Sequence, residues 1–339
     1  MSHDSCKIHY DELNVLINLI PERKWVISYP LYDFEMIKVC SHTKGYRLEI
    51  KNDDRFDEFT SKFNEYRKEV PGYNDLRSAM LSSGVLEIAN IGQVREEVER
   101  YNKSKSGVRF ALDTNLLYDN FVRNHEVIDA QDVILVDTVK EEIKNKANKK
   151  YGKNDIRSLK ILSPRNEDLF DELWNKRIKK SRTASLAMMD WVYLVDNDAR
   201  VIETDIDPSS EEGGADRIIV ERLKDQDDNI SQFLVVMTAD DAMIDLCKIE
   251  NMEYIKCDLE HQVSSTICDF KSFRNLLFDM ARIFGFIKFG PVIIFGEYRG
   301  YTSNQPNLLK VKTQNRRLFK ELERDLDICR KLDELDIEK

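Results

Sequence analysis

No two of the six cysteines in the chain (Cys6, Cys40, Cys247, Cys257, Cys268 and Cys329) form a Cys-x-x-Cys pair. That argues against a zinc ribbon and against a small fold stapled by disulfides. No apolar run reaches the roughly 18 residues needed to span a membrane, and the opening "MSHDSCKIHYDEL" has no basic-then-apolar leader pattern. The expectation is a cytoplasmic chain with reduced, mostly buried thiols and no membrane partner. Internal repeats and low-complexity segments are missing too. So is a positive balance of charge: the formal net charge is −10, which argues against a generic nucleic-acid coat. It leaves room for a site built from carboxylates, because such a site is itself acidic.

What is present is length and charge. The 339 residues suffice for two or three domains, and 34 % of them are charged, against roughly 25 % in an average globular protein. Residues 1–105 read as a mixed α/β module. "KWVISYPLY" and "YRLEIK" have strand composition, and "DRFDEFTSKFNEYRKEV" has helical spacing with Phe56, Phe59, Phe63 and Tyr66 on one side, ending at Pro71-Gly72. A charged helix follows, and its tail, "NKSKSG", reads as a linker. Over residues 106–258 apolar strands alternate with helices ("VRFAL", "VILV", "FLVVMT", "EYIKC"), the grammar of a parallel sheet with crossover helices. Residues 259–339 read as an α+β region. A buried helix leads into the strands "PVIIFGEYRGYT" and "LLKVK", and a charged helix with Leu318, Leu322, Leu326, Leu332 and Leu335 packs on a neighbour or on a second chain.

Two of the strands end alike. "VRFAL" runs into Asp113, and "FLVVM" runs into Thr238, Ala239, Asp240 and Asp241. In a parallel sheet both ends face one rim, where ligands gather. Glu141 and Glu142 lie one turn into the helix after "VILV", capped by Asp137 or Thr138. Asp216 opens "DRIIVERL". Taken singly, each acid has a plain structural role: Asp113 and Asp240 as helix caps, Glu141 and Glu142 as solvated helix residues, and Asp216 as an anion at a helix N-terminus. Converging on one rim they would repel one another unless cations stood between them, and an all-oxygen ligand set suits Mg²⁺ or Mn²⁺.

The order Asp113-Thr-Asn-x-Leu, then Val139-Lys-Glu-Glu142-Ile, then Asp216-Arg-Ile-Ile, then Thr238-Ala-Asp240 resembles the PIN-domain nucleases. The resemblance covers roughly residues 107–258. It implies a Rossmann-like α/β/α sandwich with a parallel central sheet, and metal-dependent endonucleolytic cleavage of RNA leaving 5′-phosphate and 3′-hydroxyl ends. It makes Asp113, Glu142, Asp216 and Asp240 the catalytic, metal-binding acids, with Asn115 or Thr238 orienting a ligand or water. Glu141 remains an alternative to Glu142, and Asp241 to Asp240. An aliphatic residue after the Glu favours Glu142, and the Thr-x-Asp spacing favours Asp240. The insert "ETDIDPSSEEGGAD" is unusually acidic, and the resemblance reaches neither flank.

Two basic segments run against the global charge. Residues 144–160 hold seven Lys or Arg and one acid, and residues 175–182 hold five Lys or Arg and no acid. Lys144, Lys149, Lys150, Arg177, Lys179 and Arg182 are therefore candidate contacts to an RNA backbone, with Tyr151 as a stacking residue. Phe295, Tyr298, Arg299 and Tyr301 suit a single strand or, more often, a sheet core and its edge. The competing class is a PIN-like core without catalysis, acting as an RNA-binding or scaffold module with the flanks docking partners. A phosphohydrolase with Asp113 as nucleophile would want an acid at position 115, where this chain has Asn115.

Overall fold

The computed structural model describes residues 4–20, 24–32, 34–51, 53–204, 214–229, 232–259, 263–302 and 305–335. They divide into two compact units, one from residues 1–79, 150–182 and 263–339, the other from residues 80–149 and 183–262. The architecture is mixed α/β, with an antiparallel sheet in the first unit and a parallel sheet in the second. No helix among the described residues is long and apolar enough to cross a membrane.

In the first unit the strands β1 (Asp4–His9), β2 (Lys24–Ser28), β3 (Glu35–His42) and β4 (Gly45–Ile50) come from the start of the chain. In the second, β5 (Val108–Leu112), β6 (Val133–Val136), β7 (Arg200–Ile202), β8 (Phe233–Thr238) and β9 (Glu253–Lys256) come from the middle. The last four, β10 (Ser265–Cys268), β11 (Phe286–Phe289), β12 (Val292–Phe295) and β13 (Leu308–Thr313), return to the first unit. Its sheet runs β1-β13-β12-β11-β2-β3-β4-β10, antiparallel throughout.

From the sequence, residues 1–105 and 259–339 are expected as separate modules; here their strands share one sheet. The boundary expected near residue 105 falls elsewhere too. Val94, Val98 and Tyr101 of the helix Ile91–Ser104 are buried in the core of the parallel-sheet unit, and Ala89 N–H donates to the Asp258 carbonyl at 2.7 Å. "NKSKSG" is thus the end of that unit's own helix and the turn into β5.

The Phe56 helix also differs from its expectation. It is α-helical over Asp53–Thr60 and continues as a 3₁₀ turn, Ser61–Tyr66, broken at Asn64 with φ 48°. Phe56, Phe59 and Phe63, all before the break, form one aromatic cluster with Tyr32 and Phe34. The C-terminal helix Arg316–Glu334 buries Leu318, Leu322 and Leu326. They pack within their own unit, against the helix Leu13–Leu19 and against β1 and β13, so the leucine face has a partner in the same chain as far as Leu326. Leu335 is exposed.

The parallel sheet runs β7-β6-β5-β8-β9. Every residue of β6 is buried, as is expected where helices cover both faces and the strand reads as a continuous apolar run. The chain lays down β5, β6 and β7 in one direction, then returns to place β8 on the other side of β5. Strand order therefore reverses between β5 and β8, which is where open α/β sheets bind ligands.

Candidate functional site

Asp113 stands one residue beyond β5. Register pairs Leu112 with Met237 of β8, and Asp113 N–H extends the ladder to the Met237 carbonyl at 3.1 Å. Asp113 and Thr238 thereby become lateral neighbours at the switch between the two strands. The Thr238 hydroxyl donates to Asp113 Oδ2 at 2.7 Å, and Asn115 Nδ2 donates to the same oxygen at 3.2 Å. Asp113 is 4 % exposed. It occupies the N-cap position of the helix Thr114–Tyr118, yet its side chain makes no capping hydrogen bond. The carboxylate is turned to Thr238 and Asn115 instead of to the orphan amides of the helix.

Asp240 lies on the other side of Thr238. Its backbone N–H donates to Thr238 Oγ1 at 2.9 Å, so one hydroxyl links the two acids. Asp240 Oδ1 accepts from Ala242 N–H at 2.8 Å and caps the helix Asp241–Ile249. The plain capping role anticipated for Asp240 is thus present alongside its place at the rim. Asp241 is exposed and ion-paired with Lys256 at 2.8 Å.

Glu142 reaches the site from the helix Asp137–Ala147, which follows β6. Its Oε2 accepts from the hydroxyl of Thr114, the residue after Asp113, at 3.0 Å, and its Oε1 takes Lys146. Glu141 instead pairs with the exposed Lys144 at 3.0 Å. Neither Asp137 nor Thr138 caps this helix, contrary to the sequence expectation. Asp137 is occupied by Thr204, just past β7, which donates from its backbone N–H at 2.9 Å and its hydroxyl at 2.5 Å. Thr114 stands inside the Asp113-Thr-Asn motif, but nothing in the sequence ties it to Glu142; Thr204 carries no signal there at all, since a lone threonine after a strand is too common to single out. Asp216 belongs to the helix Gly214–Asn229, but its side chain lies outside the described residues, as does most of the acidic insert.

Three neutral groups report the field at this rim. Burial pushes the Cys247 thiol up to about 11, and the charge of Asp113 adds to it. Cys257 is pushed up to about 12 by burial, with Asp258, Asp119, Glu97 and Asp113 contributing. The Tyr118 phenol is raised to about 12 by burial and by Glu142. Burial is the largest cause in all three, and the neighbouring carboxylates add to it. Among the described residues, no three His, Cys, Asp or Glu side chains are grouped closely enough to hold a metal ion.

The basic residues fare differently. Arg182 is 1 % exposed; its guanidinium donates to the carbonyls of Ile283 (3.0 Å), Phe284 (3.2 Å) and Arg177 (2.9 Å). Gly285, at φ +87°, makes room for it, since a Cβ there would stand 3.2 Å from Arg182 Cζ. Arg182 is a core residue and cannot track a phosphate chain. Arg177 pairs with the buried Glu297 at 3.0 Å and Lys179 with Asp75 at 2.7 Å, so their charges are largely committed inside their unit. Lys144, Lys149 and Lys150 are exposed. Tyr151, Phe295, Tyr298 and Tyr301 are buried, which removes them as stacking surfaces. The six cysteines are free thiols.

No family model and no curated protein matches the chain. Among solved structures, it is similar to a domain of a functionally unknown protein from Methanocaldococcus jannaschii DSM 2661, at 12 % identity and a TM-score of 0.31, over 48 % of this chain and 100 % of that one.

Proposed function

We propose that the parallel-sheet unit is a PIN-like, metal-dependent endoribonuclease acting through Asp113, Glu142, Asp216 and Asp240. The observation that carries this reading is the state of Asp113. It is a buried carboxylate at the switch between two parallel strands, excused from capping its own helix and joined through Thr238 to a second strand-end acid. Burying an anion is costly unless donors or a cation satisfy it. The donor set is oxygen-only, which fits Mg²⁺ or Mn²⁺ and not a thiophilic metal.

Asp113 and Asp240 would hold the ion, with Glu142 and Asp216 completing the set. Bound there, it would supply Lewis acidity toward a phosphate oxygen and a water of lowered pKa. The chain's own residues position these groups. The Thr238 hydroxyl sets the rotamer of Asp113, Asn115 holds the same oxygen from the solvent side, and the Thr114 hydroxyl ties Glu142 to the strand end. Lys144, Lys149 and Lys150 would contact the RNA backbone.

Cleavage of a labelled single-stranded RNA in Mn²⁺ tests the reading. The wild-type chain should cut, and Asp113→Asn should be slower by about 10²–10³-fold at matched purity and unchanged circular dichroism. Full activity in the variant, or cutting in EDTA, overturns it. One observation favours a second reading, a non-catalytic RNA-binding or scaffold module. Lys146 and Thr114 already occupy both oxygens of Glu142, and a backbone amide occupies Oδ1 of Asp240. Failure to bind Mn²⁺ at millimolar concentration would favour it.

A further inference from the structure

We infer that one face of the antiparallel sheet binds single-stranded RNA, through phosphate contacts from Lys7, Lys288, Lys310, Lys312 and Arg299 with Trp174 as a stacking platform. The inference rests on the ribonuclease reading for its ligand and goes beyond it in placing recognition in the other unit.

Strand register puts the cations together. Lys7 of β1 is directly opposite Lys310 of β13. Two residues along β13, Lys312 is paired with Ile293 of β12, which is paired in turn with Lys288 of β11. Directly paired residues, and residues two apart on a strand, share a face. Four lysines therefore stand on one side of the β1-β13-β12-β11 edge. Like charges placed directly opposite each other destabilise a sheet, so Lys7 against Lys310 is unfavourable unless anions compensate.

The compensation inside the unit is partial. Glu172 accepts from Lys310 at 2.8 Å and from Lys312 at 2.6 Å, both through the same Oε1. One carboxylate serves two ammonium groups, and no ion pair to Lys7 or Lys288 is formed among the described residues. Both of those side chains are exposed. Lys7 and Lys310 lie 5.8 and 5.9 Å from the ring centre of the buried Tyr298, an orientation that supports a cation but adds no negative charge. Next in sequence, Arg299 is exposed, with its backbone N–H on Glu172 and its guanidinium 5.4 Å from the ring of Trp174. Trp174 is 44 % exposed.

A cationic face with an exposed indole under a guanidinium matches a phosphate chain that also offers bases to stack. An acidic peptide would use the charge but leave the indole without a counterpart. The face lies in a chain of net charge −10, so it is a local reversal of sign, not part of a general basicity.

Fluorescence anisotropy of a labelled twelve-nucleotide oligouridylate with the full chain in EDTA tests the proposal. Wild type should bind, with affinity falling steeply as salt rises. Lys7→Ala/Arg299→Ala should weaken binding on the order of tenfold and lower the salt slope by about 0.7 for each lost contact. Trp174→Ala should weaken binding with the slope unchanged, which a purely electrostatic surface would not give. Unaltered affinity in the Lys7/Arg299 variant overturns the inference, as does a wild-type chain that binds polyglutamate but not the RNA. Binding is read without metal and cleavage with it. A chain that binds through this face but does not cut therefore removes the nuclease reading alone, and one that cuts while its affinity ignores the substitutions removes this face alone.

Discussion

Arg182 and Asp113 are both buried charges, one in each unit, and the fold uses them in opposite ways. In the antiparallel unit, Arg182 donates to three main-chain carbonyls and lies under a glycine whose added Cβ would press on it at 3.2 Å. In the parallel unit, Asp113 accepts from a hydroxyl and an amide at the open end of two strands, beside further acids. A cation that satisfies the backbone is a structural fastening; an anion at a strand switch, held by polar side chains, is what the proposed metal site would use. A run of charge in sequence does not say which of the two it will become.

The comparison can be broken most severely at Arg182. Replacing it with Met leaves buried carbonyls without donors, and thermal or urea unfolding should show a loss of about 3 kcal/mol. A loss below about 0.5 kcal/mol would mean that the guanidinium is not the fastening described. Glu172 gives a smaller, pH-dependent effect. Burial alone would raise its carboxyl, but the hydrogen bonds from Lys310 and Lys312 prevail and hold it below its ordinary 4.5. A carboxylate so depressed adds stability above its unfolded value and loses it as pH falls through the folded value. Melting temperatures should therefore show wild type above Glu172→Gln at about pH 6, with the gap closing as pH drops below about 4; a gap independent of pH would contradict the ion-pair account. The smallest effect is expected at Asp241, exposed and ion-paired with Lys256. Asp241→Asn should leave cleavage unchanged and stability within about 0.5 kcal/mol, whereas Asp240→Asn should lose cleavage. Equal losses in the two, or a loss in Asp241→Asn alone, would contradict the choice of Asp240 as the fourth acid.

The parallel unit was the more legible of the two in the sequence. A strand buried on both faces writes a continuous apolar run, so "VRFAL", "VILV" and "FLVVMT" and the acids at their ends stood out one by one. Their adjacency was not written there. That β5 and β8 are neighbours, and that Thr238 bridges Asp113 to Asp240, depends on the order in which the chain lays its strands. The antiparallel unit was harder for the same reason in stronger form. β1 pairs with β13 across some 300 residues of intervening chain, and mostly polar edge strands such as "DSCKIH" and "STIC" have too little apolar alternation to announce themselves. The 175–182 run looked like an RNA track because local composition cannot distinguish a solvated arginine from one folded under Gly285. Lys310 and Lys312 sat in plain alternation in "LLKVK", but only the pairing with Lys7 turns two outward lysines into a cationic face.

The central claim is that Asp113 and its neighbours at the strand switch hold a divalent cation. Calorimetric titration of Mn²⁺ into the full chain tests it most directly, because it does not depend on finding the RNA. The account predicts saturable binding in the wild type that is lost in Asp113→Asn and kept in Asp241→Asn. Binding that survives Asp113→Asn unchanged, or a wild type that takes up no Mn²⁺ at millimolar concentration, would contradict it.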